Sequence, residues 1–107
     1  MMLTKSEAGK LRSMLERGGK DELPVVFRTL GDSGRFRIFS LLGKEERLYC
    51  VSEIASVLKT SVPSASQQLQ RMERSGLVIR ERIGQKICYQ VDRKKIIVRS
   101  LLSLINH

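Results

Sequence analysis

Residues 51–91 decide the fold, and they read VSEIASVLKTSVPSASQQLQRMERSGLVIRERIGQKICYQV. Ile54, Val57 and Leu58 are spaced as on the apolar side of a short helix, which Ser52 is placed to cap. Ser61 is the next candidate cap, and it begins a second helix that is rich in Ser, Gln and Arg and ends near Gly76. Two helices joined by a tight turn predict a helix-turn-helix over residues 51–76.

A basic hairpin follows this helix pair directly. Ile87, Tyr89 and Val91 alternate with polar or smaller residues, which is typical of a half-buried strand, and Gly84 suits the turn. We expect the short β-prone run at 48–51 to pair with residues 87–91. Residues 77–92 are therefore predicted to form a wing beside the helix-turn-helix.

The segments on either side of this unit are predicted to be helical. The sequence indicates a first helix over about 3–17 and a second that begins near Pro24. A third helix would start at a cap, either Asp32 or Ser33, and run to Leu42. The last helix would cover about 94–105. The last segment is apolar around more of its circumference than one small domain can cover, so a second copy is expected to cover the remainder. The fold class is thus mainly α: a single winged helix-turn-helix domain over residues 1–107, with about five to six helices and a two- or three-stranded β-wing. Residues 93–107 are therefore a predicted dimerisation helix.

Charge is distributed unevenly along the chain. The formal net charge is +9, with 20 Lys and Arg against 11 Asp and Glu. Residues 60–107 carry nine basic and three acidic groups, which is +6 of that total. A basic excess on the second helix and hairpin favours a polyanionic partner, above all nucleic acid.

Several protein classes are not indicated by the sequence. No apolar run approaches the roughly 20 residues of a membrane-spanning helix, and the charged N-terminal segment does not resemble a signal peptide, so we expect a cytoplasmic protein without a membrane partner. The sequence contains no glycine-rich phosphate loop, and its single histidine leaves no acid–base or paired-His arrangement. We therefore expect neither an enzyme nor a cofactor.

The polar side of the second helix is the candidate DNA-reading surface. Gln can bond adenine bidentately, Arg can bond guanine, and Ser serves bases or phosphates. The candidates on this helix are Ser64, Ser66, Gln67, Gln68, Gln70 and Arg71, of which Ser64, Gln67, Gln68 and Arg71 share one face. The candidates on the wing, for phosphate or minor-groove contacts, are Arg80, Arg82, Gln85 and Lys86.

The two cysteines, Cys50 and Cys88, allow three interpretations. Pairing of the short strand with the second arm of the hairpin would place the two cysteines on adjacent strands, but the sequence fixes neither their Cα separation nor the directions of their Cβ atoms. They could fill space in the core, form a thiol or persulfide switch, or ligate a metal ion. Cytosolic thiols are usually reduced, and two cysteines are too few for a disulfide framework.

From Pro24 to about Asp92 the chain resembles the ArsR/SmtB family of bacterial and archaeal repressors. The resemblance is carried by FRTLGDSGRFRIFSLL, VSEIASVL, SVPSASQQLQRMERSGLV and IGQKICYQVD. It implies a dimeric winged-helix protein in which the segments flanking the match, residues 1–22 and 93–107, are the dimerisation helices. Such a protein occupies an operator and leaves it when an inducer binds; many inducers are metal ions, and others are thiol-oxidising or persulfide species.

The chain departs from the family pattern at the metal sites. Soft-metal sensors of the family often carry Cys-Val-Cys before the first helix of the helix-turn-helix, where this chain has Cys50-Val51-Ser52. The last helix begins with Arg93, Lys94 and Lys95, which cannot ligate a cation. No metal site is predicted, and the inducer is left open. The expected function is a homodimeric, sequence-specific DNA-binding repressor released by an inducer or thiol modification. The alternatives are an unswitched or architectural DNA-binding protein and a protein–protein adaptor.

Overall fold

The computed structural model describes residues 2–18 and 22–106, which form six helices and three strands. In chain order the elements are α1 (Lys5–Gly18), α2 (Glu22–Leu30), α3 (Ser33–Leu42), β1 (Tyr49–Cys50), α4 (Val51–Leu58), α5 (Val62–Arg74), β2 (Val78–Ile83), β3 (Lys86–Val91) and α6 (Ile96–Ile105). The fold is the predicted winged helix-turn-helix, with α4 and α5 as the helix pair and β2–β3 as the wing.

The sheet has three antiparallel strands in the order β1-β3-β2. Tyr49 pairs with Tyr89 and Cys50 with Cys88, which confirms the predicted pairing of the short run with the second arm of the hairpin. Gly84 has a φ of 61° in the turn between β2 and β3, a left-handed conformation that favours glycine. The sheet therefore ties the wing to the segment that leads into α4.

The core is aliphatic apart from a few aromatic rings, and it joins every element except α1. Phe39, Leu42, Ile54, Leu69 and Met72 are fully buried at the junction of α3, α4 and α5. Because these side chains come from three helices, their packing fixes the orientation of α5 relative to α3 and α4. The polar face of α5 is thereby held outward.

Local hydrogen bonds decide where several helices begin. Asp32 caps α3, since its Oδ2 accepts the Arg35 N–H at 3.0 Å. The first helix begins at Lys5 rather than Leu3, because Thr4 and Glu7 form a reciprocal cap in which each side chain accepts the other's backbone N–H. The last helix begins at Ile96, two residues later than predicted, with Lys95 at its N-cap position.

The predicted cap of α4 was wrong. Cys50, and not Ser52, occupies the N-cap position, so the helix starts at Val51. The carboxylate of Glu53 accepts the backbone N–H of Cys50 at 2.8 Å. Strand β1 therefore passes into α4 without an intervening loop, which leaves Ser52 as an exposed residue in the first turn.

The wing also differs in part from the predicted alternation. Cys88 would lie on the outer face of a half-buried strand, yet it is 0% exposed, as its space-filling interpretation requires, so both faces of β3 are buried at Cys88 and Tyr89. Tyr89 and Val91 are buried as predicted. Ile79 and Ile83 are exposed on the outer strand, so the wing projects apolar as well as basic side chains.

Both terminal helices leave apolar side chains uncovered. In α1, Leu11, Met14 and Leu15 are exposed, and Leu15 is 77% exposed. In α6, Val98 and Leu102 face the core, whereas Ile96 and Leu104 are 74% and 76% exposed. The part of the chain that the structure describes has no helix of the length and apolarity needed to cross a bilayer.

Candidate nucleic-acid interface

Helix α5 is anchored on one side and open on the other. Ser61 Oγ accepts the Ser64 N–H at 3.1 Å and so caps the helix, as predicted, while Pro63 occupies its first turn. Ala65, Leu69 and Met72 are buried. The opposite side presents Ser64, Gln67 and Arg71 to solvent, with Gln68 half-buried beside them.

Gln68 is held by an arginine that sequence reasoning missed. Arg35 Nη1 donates to Gln68 Oε1 at 2.9 Å, and Arg35 Nε donates to the backbone carbonyl of Thr29 at 2.6 Å. One guanidinium thus caps the C-terminal end of α2 and orients a side chain on α5. In the sequence the two partners are 33 residues apart, so no local pattern marks the pair.

Ser66 and Gln70 do not lie with the other candidates on α5. Successive helical residues are rotated by about 100°, which turns these two toward the wing. Gln70 Nε2 donates to Ser66 Oγ at 3.3 Å, and both line an opening of about 340 Å³ that Arg80 and Tyr89 border from the sheet. The six predicted residues are therefore divided between a groove-facing side and a wing-facing side.

All four wing candidates are exposed. Arg80 and Arg82 alternate along β2 and so share one side of the strand, while Gln85 and Lys86 lie at and after the turn. Arg82 Nε donates to the Gly84 carbonyl at 3.1 Å, which directs this guanidinium along the tip of the hairpin. The wing therefore carries a basic edge next to the recognition helix.

A salt bridge stabilises the start of the helix-turn-helix. Arg47 Nη2 lies 3.1 Å from Glu53 Oε2, and the Arg47 guanidinium stacks on the ring of Tyr49. The backbone N–H of Cys50 and, second, the hydrogen bond from Arg47 lower the pKa of Glu53 below its ordinary value of 4.5. Glu53 therefore remains ionised at neutral pH, and its carboxylate continues to accept the hydrogen bond from the Cys50 backbone N–H.

Cys50 and Cys88 are joined by a disulfide, with their Cα atoms 3.8 Å apart in directly opposed positions of β1 and β3. The sequence left open whether the thiols were near each other, and the structure brings them into a bond. Cys88 is fully buried, whereas Cys50 is half-buried and borders an opening of about 290 Å³ between α5 and the wing. Within residues 2–18 and 22–106, no group of three or more His, Cys, Asp and Glu side chains could hold a metal ion.

Comparison with known proteins gives consistent results. Residues 32–80 match the family described as "Bacterial regulatory protein, arsR family". The arsenic resistance transcriptional regulator ArsR1 of Pseudomonas putida is 34% identical over 68 residues, which are 64% of this chain and 52% of the relative, so the match spans about half of that protein's length. The HTH-type transcriptional regulator YbzH of Bacillus subtilis is 32% identical over 84 residues, 66% of this chain and 84% of YbzH.

A solved structure agrees with these relatives. The homodimeric winged helix-turn-helix DNA-binding domain of Mb0332 from Mycobacterium bovis, a possible ArsR-family regulator, superimposes with a TM-score of 0.68 at 26% identity. The superposition covers 97% of this chain and 84% of that one. Fold, helix-turn-helix sequence and wing thus agree, and the chain belongs to the ArsR family of winged helix-turn-helix transcriptional regulators.

Proposed function

We propose that this protein is a homodimeric repressor that binds an operator sequence in double-stranded DNA. The observation that carries the proposal is the outward polar face of α5, where Ser64, Gln67, Gln68 and Arg71 are held by a capped and buried helix next to a basic wing. Gln and Arg are the side chains that read adenine and guanine in the major groove. Arg80, Arg82, Gln85 and Lys86 would contact the backbone or the minor groove beside it.

The homodimer would form through residues 1–22 and 93–107. Uncovered apolar residues on α1 and α6 support this assignment, because isolated domains rarely leave such rows of Leu, Met and Ile in water. A two-fold dimer would present its two α5 helices to major grooves about one helical turn apart, so the operator would be an imperfect palindrome. As a repressor bound to an operator, the protein would act in the cytoplasm.

Release from DNA would depend on Cys50 and Cys88. Forming their disulfide takes one proton and one electron from each thiol, and a peroxide or a small-molecule disulfide would accept the electrons. The bond joins the N-cap of α4 to the central strand of the wing sheet, so it constrains the two DNA-contacting units relative to each other. We assign high affinity to the reduced form and low affinity to the disulfide form, since an effector shifts binding only by distinguishing two states.

Fluorescence anisotropy on a labelled duplex from the region upstream of the gene tests both parts of this proposal. The reduced protein should bind this duplex more tightly than a scrambled duplex of equal length, and treatment with peroxide should abolish the difference. The matched control is Cys50→Ser combined with Cys88→Ser, which should bind like the reduced protein before and after treatment.

The other outcomes are distinct. Equal binding by the reduced and oxidised protein would refute the thiol switch. The protein would then be an operator-binding protein whose cysteines are structural. If neither form bound DNA in a salt-dependent manner, DNA binding itself would be wrong and an adaptor role would replace it.

A further inference from the structure

A pocket between α2, α3 and α5 is lined by four arginines and no acidic residue. It measures about 330 Å³, and its lining comprises Val25, Arg28, Thr29, Arg35, Arg71, Arg74 and Ser75. Arg28 lies on α2, Arg35 on α3, and Arg71 and Arg74 on α5. We call this the arginine pocket.

The positive charge of the arginine pocket is not neutralised within the described part of the chain. Its four guanidinium groups have no carboxylate within 4.0 Å there. Arg35 uses two of its five N–H groups on Thr29 and Gln68. Within the described residues, the guanidinium N–H groups of Arg28, Arg71 and Arg74 have no acceptor, and they surround a common space. Like charges gathered in one concavity repel each other until an anion enters between them.

The floor of the arginine pocket supplies hydroxyl groups as well. Thr29 Oγ1 and Ser75 Oγ lie 2.6 Å apart, and each also lies within hydrogen-bond distance of a backbone carbonyl, Val25 O and Arg71 O respectively. The two hydroxyl groups have only two protons for these three contacts. One hydroxyl can therefore donate to a ligand oxygen while it still accepts a hydrogen bond from the other hydroxyl. Phosphate oxygens accept hydrogen bonds from paired guanidinium N–H groups and from hydroxyl groups, and this pocket offers both.

The arginine pocket adjoins the side of α5 that faces the groove. Arg71 belongs to both surfaces, and Arg35 contacts Gln68 from within the pocket. A major groove that received this side of α5 would bring its flanking sugar-phosphate backbone toward α2 and α3. Phosphates recur along each strand of that backbone, so one of them would come close to the pocket.

We propose that the arginine pocket binds one phosphate group. Two sources share this chemistry: a phosphodiester of the operator backbone, or a phosphate carried by a free small molecule. The first source rests on the DNA-binding function proposed above, and the second does not.

The first arm of the test measures the salt dependence of duplex binding between low and moderate KCl. The variant is Arg28→Gln combined with Arg74→Gln, two exposed residues whose replacement leaves the core intact. Lys44→Gln, an exposed charge beyond the far end of α3, is the matched control. Loss of one phosphate contact should lower the slope of log affinity against log salt by about 0.9 in the double variant, on specific and scrambled duplexes alike, and leave it unchanged in the control.

The second arm titrates inorganic phosphate and pyrophosphate into the DNA-free dimer and follows the arginine Nε–H signals by NMR. Saturable shifts that the double variant lacks would identify a free phosphate as ligand, whether or not the protein binds DNA. A reduced salt slope without such shifts would identify the operator backbone.

An unchanged slope together with an unresponsive spectrum would overturn the pocket assignment. Tight operator binding by the wild-type protein in that case would leave the DNA-binding function standing. If no duplex binds at all, the DNA-binding function fails, and the titration alone then decides whether the pocket binds phosphate.

Discussion

Arg35 should determine how well Gln68 reads DNA, and Arg35→Met tests this. Its guanidinium donates to Gln68 Oε1 at 2.9 Å and to Thr29 O at 2.6 Å. A methionine fills much of the same volume but donates no hydrogen bond. The substitution should therefore release the Gln68 carboxamide and leave the partly buried backbone carbonyl of Thr29 without its donor.

The size of the effect follows from these two contacts. Ordering a free side chain on binding costs about 0.5–1.5 kcal/mol, which corresponds to roughly 2- to 13-fold in operator affinity. Complete loss of a bidentate Gln–adenine contact would set the upper limit at about 1–3 kcal/mol. Leaving the Thr29 carbonyl unpaired should lower the free energy of unfolding by about 1–3 kcal/mol.

A double-mutant cycle separates orientation of Gln68 from a general loss of charge. Operator affinity is measured by anisotropy for wild type, Arg35→Met, Gln68→Ala and the double variant, with a scrambled duplex beside each. We expect a coupling energy of at least about 0.5 kcal/mol on the operator and none on the scrambled duplex. Lys44→Met controls for removal of one positive charge from α3's vicinity. Additive effects of the two substitutions on the operator would refute the orienting role of Arg35.

Three further predictions concern the dimer, the start of α4 and the start of α5. Leu104→Glu should yield monomers by light scattering, because this exposed side chain would face the partner; a dimeric variant would exclude the α6 interface. The pKa of Glu53 is lowered, so its capping contribution is present at neutral pH and is lost as the pH falls through that pKa. In thermal melts, the stability difference between wild type and Glu53→Gln should therefore be largest at neutral pH and shrink on acidification below the ordinary pKa of 4.5. A difference that does not depend on pH would contradict the capping role. Ser61→Ala should lower the free energy of unfolding by about 0.5–2 kcal/mol in urea titrations, and Ser61→Asp, which retains a cap, should restore most of it.

Features that depend on neighbouring residues were predictable from the sequence. Ser61 was predicted as the cap of α5, and Asp32 was one of two caps predicted for α3 beside Ser33, because a cap needs only a side-chain oxygen and a backbone N–H a few residues later. Gly84 was placed in the turn because a left-handed φ favours glycine. The polar face of α5 followed from helical periodicity, and the helix-turn-helix and wing were therefore predicted correctly.

Even local reasoning failed where two caps competed. Ser52 has a better capping side chain than Cys50, yet α4 begins at Val51, two residues earlier than a Ser52 cap requires. Pairing of Tyr49 and Cys50 with β3 fixes the end of the strand, and Glu53 satisfies the backbone N–H of Cys50. The sheet, which is a long-range contact, overrode the local preference.

What only the tertiary structure decided lies between segments far apart in the chain. Period-two alternation does not reveal that both faces of β3 are buried at Cys88 and Tyr89. The Cys50–Cys88 bond spans 38 residues, and the Arg35–Gln68 contact spans 33. The arginine pocket gathers its charges from three helices. Capping, turns and amphipathic faces are encoded within a few residues, whereas the partner of a buried thiol or a guanidinium is set by the packing of whole elements.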